Sequence, residues 1–170
     1  KASDSLFVAN GLGKPTSFRA GGWTADIDVV RALAANGYKA DSSANNWARL
    51  EEWDGLGTGY LFNWNKMNWN PIGDLSQPYH PSSTSTTTPA VPGLDVLEVP
   101  DNGSMVDYVS GEEMIAIFNA NWNGEAVAAP KSYVIGLHPV NYDSYYHARM
   151  QMVLSHVDRF LARSDAGPVF

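Results

Sequence analysis

Three side chains with catalytic chemistry stand in or just after short extended stretches of the chain. They are Arg19 in Ser17–Ala20, Asp41 in Tyr38–Ser43, and His138 directly after Ser132–Leu137. An arginine carries a fixed charge and a planar fork that can hold a carboxylate. A histidine can transfer a proton near neutral pH, although a lone one at a strand end is more often a hydrogen-bonded structural residue. The chemistry therefore depends on whether the surrounding elements bring these positions together.

The stretch Thr16–Trp47 has the pattern of a strand, a helix and a second strand. Thr24 is predicted to cap the helix, with acidic residues in the first turn. Apolar residues then recur at helical spacing (Ile27, Val30, Leu33 and Ala34), and Asn36-Gly37 supplies a stop signal. Such a unit packs right-handed with parallel strands, and sites gather at the C-terminal strand ends. Arg19 and Asp41-Ser42-Ser43 are therefore expected at one rim.

The second half of the chain continues this alternation. Leu94–Pro100 is predicted to be a strand, Glu112–Ala120 a helix, Ser132–Leu137 a strand, and Tyr142–Arg163 an amphipathic helix of about six turns. Glu98 lies at the end of its strand, where an exposed carboxylate and a site residue look alike, and we favour a supporting role. Pro139 should stop the last strand and hold His138 at the rim.

Between Asn45 and Pro92 lies a long segment with no regular period, rich in tryptophan and asparagine. Its indoles are Trp47, Trp53, Trp64 and Trp69. Flat aromatic faces beside amide groups suit a sugar-binding cleft, because pyranose rings offer apolar faces ringed by hydroxyls. The alternative is that several of these indoles close a small core. For Trp47 and Trp53 the two interpretations have equal weight.

Composition indicates one globular domain, residues 1–170, that can build a core. The chain of 170 residues is 44% hydrophobic, and its formal net charge of -7 argues against a nucleic-acid partner. Cysteine is absent, which excludes disulfides and thiol chemistry. No apolar run approaches the ~20 residues that cross a bilayer, so no membrane span is expected.

An ordered series of short motifs resembles the polysaccharide deacetylases, the carbohydrate esterases with NodB homology. The motifs are Phe18-Arg19-Ala20-Gly21-Gly22-Trp23, Asn36-Gly37-Tyr38, Asp41-Ser42-Ser43 with Trp47, Leu97-Glu98-Val99-Pro100, and Gly136-Leu137-His138-Pro139. The similarity runs from Phe18 to about Leu161. It corresponds to the second half of a complete family domain.

The resemblance implies a fold, an activity and roles for single residues. The fold would be an α/β one, the second half of a distorted (β/α)7-type barrel with parallel strands and a long irregular insertion rich in tryptophan and asparagine. The activity would be metal-dependent deacetylation of N-acetylated sugars in a polysaccharide, with zinc the expected metal. By position, His138 would be the general acid and Arg19 would orient the catalytic aspartate. Substrate would meet Gly21, Gly22, Trp23, Trp47 and Leu137, with Trp64 and Trp69 in the glycan groove, while Asp41 and Glu98 would support the site from behind.

The family's first motif has no counterpart in this chain, and its four histidines include no pair at metal-ligand spacing. The metal ligands and the catalytic base are therefore expected from an N-terminal segment outside this chain, so that the chain packs against that segment or against a second protomer. An extracellular, periplasmic or cell-envelope location is implied, and a cytoplasmic one stays open. Two alternatives also stay open: an inactive carbohydrate-binding module and an unrelated α/β interaction domain.

Overall fold

A computed structural model describes residues 2–51, 60–139 and 143–161. Its helices are α1 (Ala2–Ala9), α2 (Ile27–Ala35), α3 (Trp47–Glu51), α4 (Tyr60–Trp69), α5 (Gly111–Asn121) and α6 (Ser144–Asp158). Its strands are β1 (Ser17–Phe18), β2 (Ala40–Asp41), β3 (Leu97–Glu98), β4 (Ser104–Met105) and β5 (Ile135–Gly136). A 3-10 turn covers Gly21–Trp23.

The strands are parallel, as the sequence predicts. The first sheet has the order β1-β2-β3, with Phe18 opposite Asp41 and Asp41 opposite Glu98. The second sheet pairs β4 with β5 in parallel. Among the described residues the sheets are small and do not close on themselves. The chain is thus an α/β protein with parallel strands. The expected barrel is not seen in these two open sheets.

The first β-α-β unit forms as predicted, with one correction at the start of its helix. The cap of α2 is Asp26, whose side chain accepts from the backbone N–H groups of Asp28 and Val29. The Thr24 hydroxyl instead donates to the Gly21 carbonyl over 2.7 Å. Thr24 was the wrong choice because the chain makes a 3-10 turn first, which moves the helix start two residues on. The helix ends at the predicted asparagine, and Gly37 follows with φ of 77°.

The later elements agree with the sequence pattern except on α6. Helix α5 buries Met114, Ile117 and Phe118, the predicted apolar side. The sequence pattern predicts an apolar stripe on α6 that includes Val153 and Leu154. The prediction is wrong at Leu154, which is 49% exposed, whereas Val153 is buried. Helix α6 ends at Asp158, so the predicted helix is wrong at residues 159–161, while its predicted ends, Tyr142 and Arg163, lie outside the described residues.

The segment rich in tryptophan and asparagine is not irregular throughout, which corrects the prediction. It contains helices α3 and α4. Asparagine lowers helix propensity, so the interrupted apolar pattern hid these helices. Trp69 packs with Ala20, Ala25, Ala44 and Ile72 in one core cluster, and Trp47 packs with Phe62 in another. Trp53 lies outside the described residues.

Candidate functional site

The C-terminal ends of the parallel strands carry most of the polar residues of interest. Arg19 follows β1, and its guanidinium donates to the Ser42 hydroxyl beyond β2 over 2.7 Å. Its other terminal nitrogen lies 3.7 Å from the Asp101 carboxylate beyond β3. Arg19 therefore spans the ends of three neighbouring strands, while its side chain remains 38% exposed.

Asp101 is a buried carboxylate at the centre of this rim. One of its oxygens accepts from the Gly103 N–H over 2.9 Å, and the other has no hydrogen-bond partner. Burial raises the pKa of Asp101, and the Gly103 hydrogen bond and the Arg19 charge oppose that rise. The unpaired oxygen also lies 3.3 Å from the position of a Cβ built on Gly136. Asp101 thus connects Arg19 with the strand that leads to His138.

His138 lies at the rim beside a second buried carboxylate, that of Asp107. The Asp107 carboxylate accepts from the His138 backbone N–H over 3.0 Å and lies 3.3 Å from its Nδ1. The Asp107 side chain is 5% exposed and the His138 side chain is 50% exposed. Because Asp107 faces Nδ1, the other ring nitrogen, Nε2, lies on the opposite side of the ring. A histidine held in this way can give a proton to a group in front of the rim.

Aromatic side chains connect His138 to the turn after β1. The Tyr108 ring lies 6.4 Å from the His138 ring and 6.3 Å from the Trp23 ring. Trp47 and Phe62 pack at 4.9 Å, and both Trp23 and Tyr108 pack against them. The indole N–H groups of Trp23 and Trp47 are buried without a hydrogen-bond partner. A continuous series of ring contacts therefore leads from His138 through Tyr108 to Trp23, and Tyr108 and Trp23 also pack against Trp47 and Phe62.

Asp41 and Glu98 form a buried carboxyl pair beneath the rim. They are direct neighbours across β2 and β3, and they are 1% and 0% exposed. Burial and the Asp41 charge raise the pKa of Glu98 to about 9, and burial also raises that of Asp41. We conclude that Glu98 keeps a proton and donates it to the Asp41 carboxylate. Neither group can reach a substrate, so their predicted place behind the site agrees with their burial.

The Asp41–Glu98 pair also binds the three strands together. The Ser43 hydroxyl donates to Asp41 over 2.7 Å and accepts from the Ala20 N–H over 3.0 Å. Glu98 accepts from the Ala44 N–H over 2.8 Å. The polar network therefore fixes the backbone immediately after Arg19, at Ala20, and again at Ala44, three residues before Trp47.

The other predicted substrate residues differ in their access to solvent. Gly21 and Gly22 are exposed in the turn after β1, and Leu137 is 37% exposed at the end of β5. Trp64 is half-buried on α4. Trp69 is fully buried, and its indole donates to the Trp23 carbonyl over 2.7 Å. Its predicted place in a glycan groove is wrong, because a ring with no exposed face cannot stack on a sugar.

Three residues at the rim were missed by sequence reasoning: Asp101, Asp107 and Tyr108. A signal for the two aspartates exists, since each closely follows a short strand in a parallel sheet. For Met105–Tyr108 the sequence predicts only a short segment, with no role for Asp107 or Tyr108. Nothing in the sequence pairs Asp107 with a histidine 31 residues later.

The described residues do not fit the metal that the resemblance implies. Within residues 2–51, 60–139 and 143–161, no group of three or more histidine, cysteine or acidic side chains could hold a metal ion. His138 has Asp107 beside it, whereas His80 hydrogen-bonds to backbone carbonyls and His156 contacts Asn119.

Comparisons with known proteins identify no family for this chain. No protein-family model matches the chain, and the searches of curated proteins and of solved structures find none that is similar. In the part of the chain that the structure covers, no helix is long and apolar enough to pass through a bilayer.

Proposed function

We propose that this chain takes part in the hydrolytic deacetylation of N-acetylated sugars in a polysaccharide. The single observation that carries the proposal is the His138–Asp107 pair. The His138 ring lies 6.4 Å from the Tyr108 ring, which lies 6.3 Å from the Trp23 ring, and Asp101 links Arg19 to the strand that leads to His138. The pair supplies a positioned proton donor, and the rings supply flat apolar faces for a pyranose.

His138 would act as the general acid in this reaction. When the amide carbon has been attacked, the C–N bond breaks only if the departing amine gains a proton. An imidazolium held through Nδ1 by Asp107 presents its Nε2–H to that nitrogen. Asp107 would orient the ring, because its carboxylate lies 3.3 Å from Nδ1 and also accepts from the His138 backbone N–H.

Arg19 would bind and orient an acidic group at the mouth of the site. Its guanidinium is anchored by Ser42 and faces Asp101 at 3.7 Å, which leaves part of its donor set for a further carboxylate. The exposed turn at Gly21 and Gly22 would place backbone N–H groups near the developing oxyanion.

The remaining parts of the site would come from outside the described residues. We propose that an N-terminal segment of the same protein, or a second protomer, supplies the catalytic base and the ligands of a divalent metal, and that the fold is the second half of a (β/α)7-type barrel. Two features support this. β1 is an edge strand, and α1 is an apolar helix none of whose residues is buried.

The test is acetate release from an oligomer of N-acetylglucosamine by the product of the complete open reading frame that encodes this chain. We expect release that a chelator abolishes and zinc restores. His138→Ala should lower kcat by about 100-fold or more, in the range for loss of a general acid. His147→Ala, which changes an exposed histidine on α6, is the matched control.

Asp107→Asn separates catalysis from folding. The amide keeps an oxygen to accept the His138 N–H but removes the charge beside Nδ1. We expect a smaller loss than for His138→Ala, with little change in thermal midpoint. Full activity in both variants would refute the assignment of His138.

A second candidate is a carbohydrate-binding module without turnover. It is favoured by the lack of a metal-ligand cluster among the described residues and by the aromatic rim. This function predicts oligosaccharide binding that is lost on Trp23→Ala but kept in His138→Ala, with no acetate released. Both candidate functions act on a polysaccharide, and for that reason we propose a location outside the cell or in its envelope.

A further inference from the structure

The turn after β1 holds a bulky residue in a conformation that such residues rarely adopt. Gly22 has φ of 60° and ψ of 21°, and Trp23 follows with φ of 57°. For a residue with a Cβ, the left-handed region is unfavourable because the Cβ crowds the following carbonyl oxygen. Residues in this state persist only where the surrounding structure holds them, and they cluster at functional sites.

Two buried side chains on α4 hold this turn in place. The Asn65 amide donates to the Gly22 carbonyl over 2.9 Å, and the Trp69 indole donates to the Trp23 carbonyl over 2.7 Å. Asn65 is 3% exposed and Trp69 is 0% exposed. On the far side, the Trp23 N–H donates to the Ala20 carbonyl over 3.1 Å. The turn is therefore fixed at successive carbonyls by a helix distant in sequence.

This conformation sets where the Trp23 ring lies. The indole is half-buried and packs at 6.3 Å from Tyr108, which in turn lies 6.4 Å from His138. A right-handed or extended backbone at Trp23 would send its Cβ in another direction, away from Tyr108. The left-handed backbone at Trp23 therefore determines where its indole lies relative to Tyr108.

We infer that Asn65 and Trp69 are positioning residues that hold Trp23 as a platform for a pyranose ring of the substrate, with Tyr108 between the Trp23 ring and His138. The class of substrate, an N-acetylhexosamine oligomer, rests on the proposed function. Helix α4 then contributes to sugar binding indirectly, because the buried Trp69 indole fixes the backbone of the turn that carries Trp23.

Asn65→Leu is the sharpest test, with a linear tetramer of N-acetylglucosamine as the probe. Leucine has nearly the same shape, and it removes both the donor to Gly22 and an amide oxygen that is buried without a partner. Because Gly22 is exposed, water can replace the lost donor at its carbonyl, so the free energy of unfolding should change little. We expect the dissociation constant, measured by calorimetry, to rise at least fivefold while the thermal midpoint moves little.

Asn68→Leu is the matched control on the same helix. The Asn68 amide donates within α4, to the Trp64 carbonyl over 2.9 Å, and does not reach the turn. It should bind the tetramer like the wild type. Trp23→Gly adds a second variant, because glycine fits the left-handed backbone without strain while removing the ring. It should fold and lose binding.

Binding at wild-type strength in Asn65→Leu or in Trp23→Gly would overturn the inference, as would a wild-type protein that binds no tetramer. The two proposals fail separately. Acetate release that Asn65→Leu leaves unchanged in KM and kcat contradicts the positioning role and keeps the deacetylase. Tetramer binding that weakens as expected, with no acetate released, keeps the positioning role and removes the deacetylase.

Discussion

Glu98→Gln tests the buried carboxyl pair directly. In the structure, one Glu98 oxygen accepts from the Ala44 N–H, and from the raised pKa we conclude that the other oxygen carries a proton toward the Asp41 carboxylate. Glutamine can reproduce both contacts, because its oxygen accepts and its amide donates. The variant therefore copies the protonated state of Glu98 and cannot lose that state as the pH rises.

The magnitude follows from the raised pKa. The ordinary pKa of Glu98 is 4.5 and its pKa in the folded protein is about 9. A group whose pKa is raised on folding stabilises the protein fully below its unfolded pKa, and that stabilisation is lost as the pH rises toward its folded pKa. Each pH unit in this window costs about 1.4 kcal/mol, so the upper bound is about 6 kcal/mol.

Urea unfolding at a series of pH values between 4.5 and 9 is the assay. The wild type should lose stability across this window. Glu98→Gln should match the wild type near pH 4.5 and exceed it by at least about 1 kcal/mol at pH 8. Glu112→Gln, which changes an exposed glutamate on α5, controls for the loss of any one carboxyl group.

A difference between Glu98→Gln and the wild type that stays below about 0.5 kcal/mol at every pH would refute the reasoning. It would mean that Glu98 loses its proton in the folded protein as easily as in the unfolded one. A variant destabilised at pH 4.5 would refute the hydrogen-bond arrangement instead, because glutamine would then fail to replace the protonated carboxyl.

Three further predictions concern stability. Gly103→Ala should destabilise the protein by about 1–3 kcal/mol more than Gly11→Ala in denaturant unfolding, because both positions have positive φ but only at Gly103 does a Cβ meet Arg49, at 2.6 Å; equal losses would contradict this. Asp74→Asn should cost stability near neutral pH and cost less as the pH falls below 3.8, since the Arg49 hydrogen bond lowers the pKa of Asp74; unfolding curves that keep a constant separation would count against it. Gly136→Ala should lower the thermal midpoint, because its Cβ would lie 2.1 Å from the buried Met105 sulfur, and an unchanged midpoint would show that Met105 can move aside.

The sequence predicts most helices and strands, but it does not predict which residues distant in sequence come into contact. The helix stop at Asn36-Gly37 and the apolar face of α5 follow from residue type and spacing, which act over a few residues. The start of α2 was misplaced because Thr24 and Asp26 are both good caps, and the preceding 3-10 turn decides between them.

Candidate site residues divide in the same way. Arg19 and His138 were found because each lies at a strand end, a property of the local pattern. Trp69 was placed in a groove because an indole in a polar segment suits both a sugar and a core, and only packing distinguishes them. The role of Asp107 was missed for a related reason, since nothing near it in sequence suggests a histidine partner.

The sequence by itself determined the alternation of strands and helices, the parallel arrangement and the positions of Arg19 and His138 at strand ends. Only the tertiary structure decided which carboxylates meet which partners: Glu98 with Asp41, and Asp107 with His138. The physical reason is range. Backbone propensity and apolar period act between near neighbours, whereas the pairing of buried polar groups depends on how strands distant in sequence come into register.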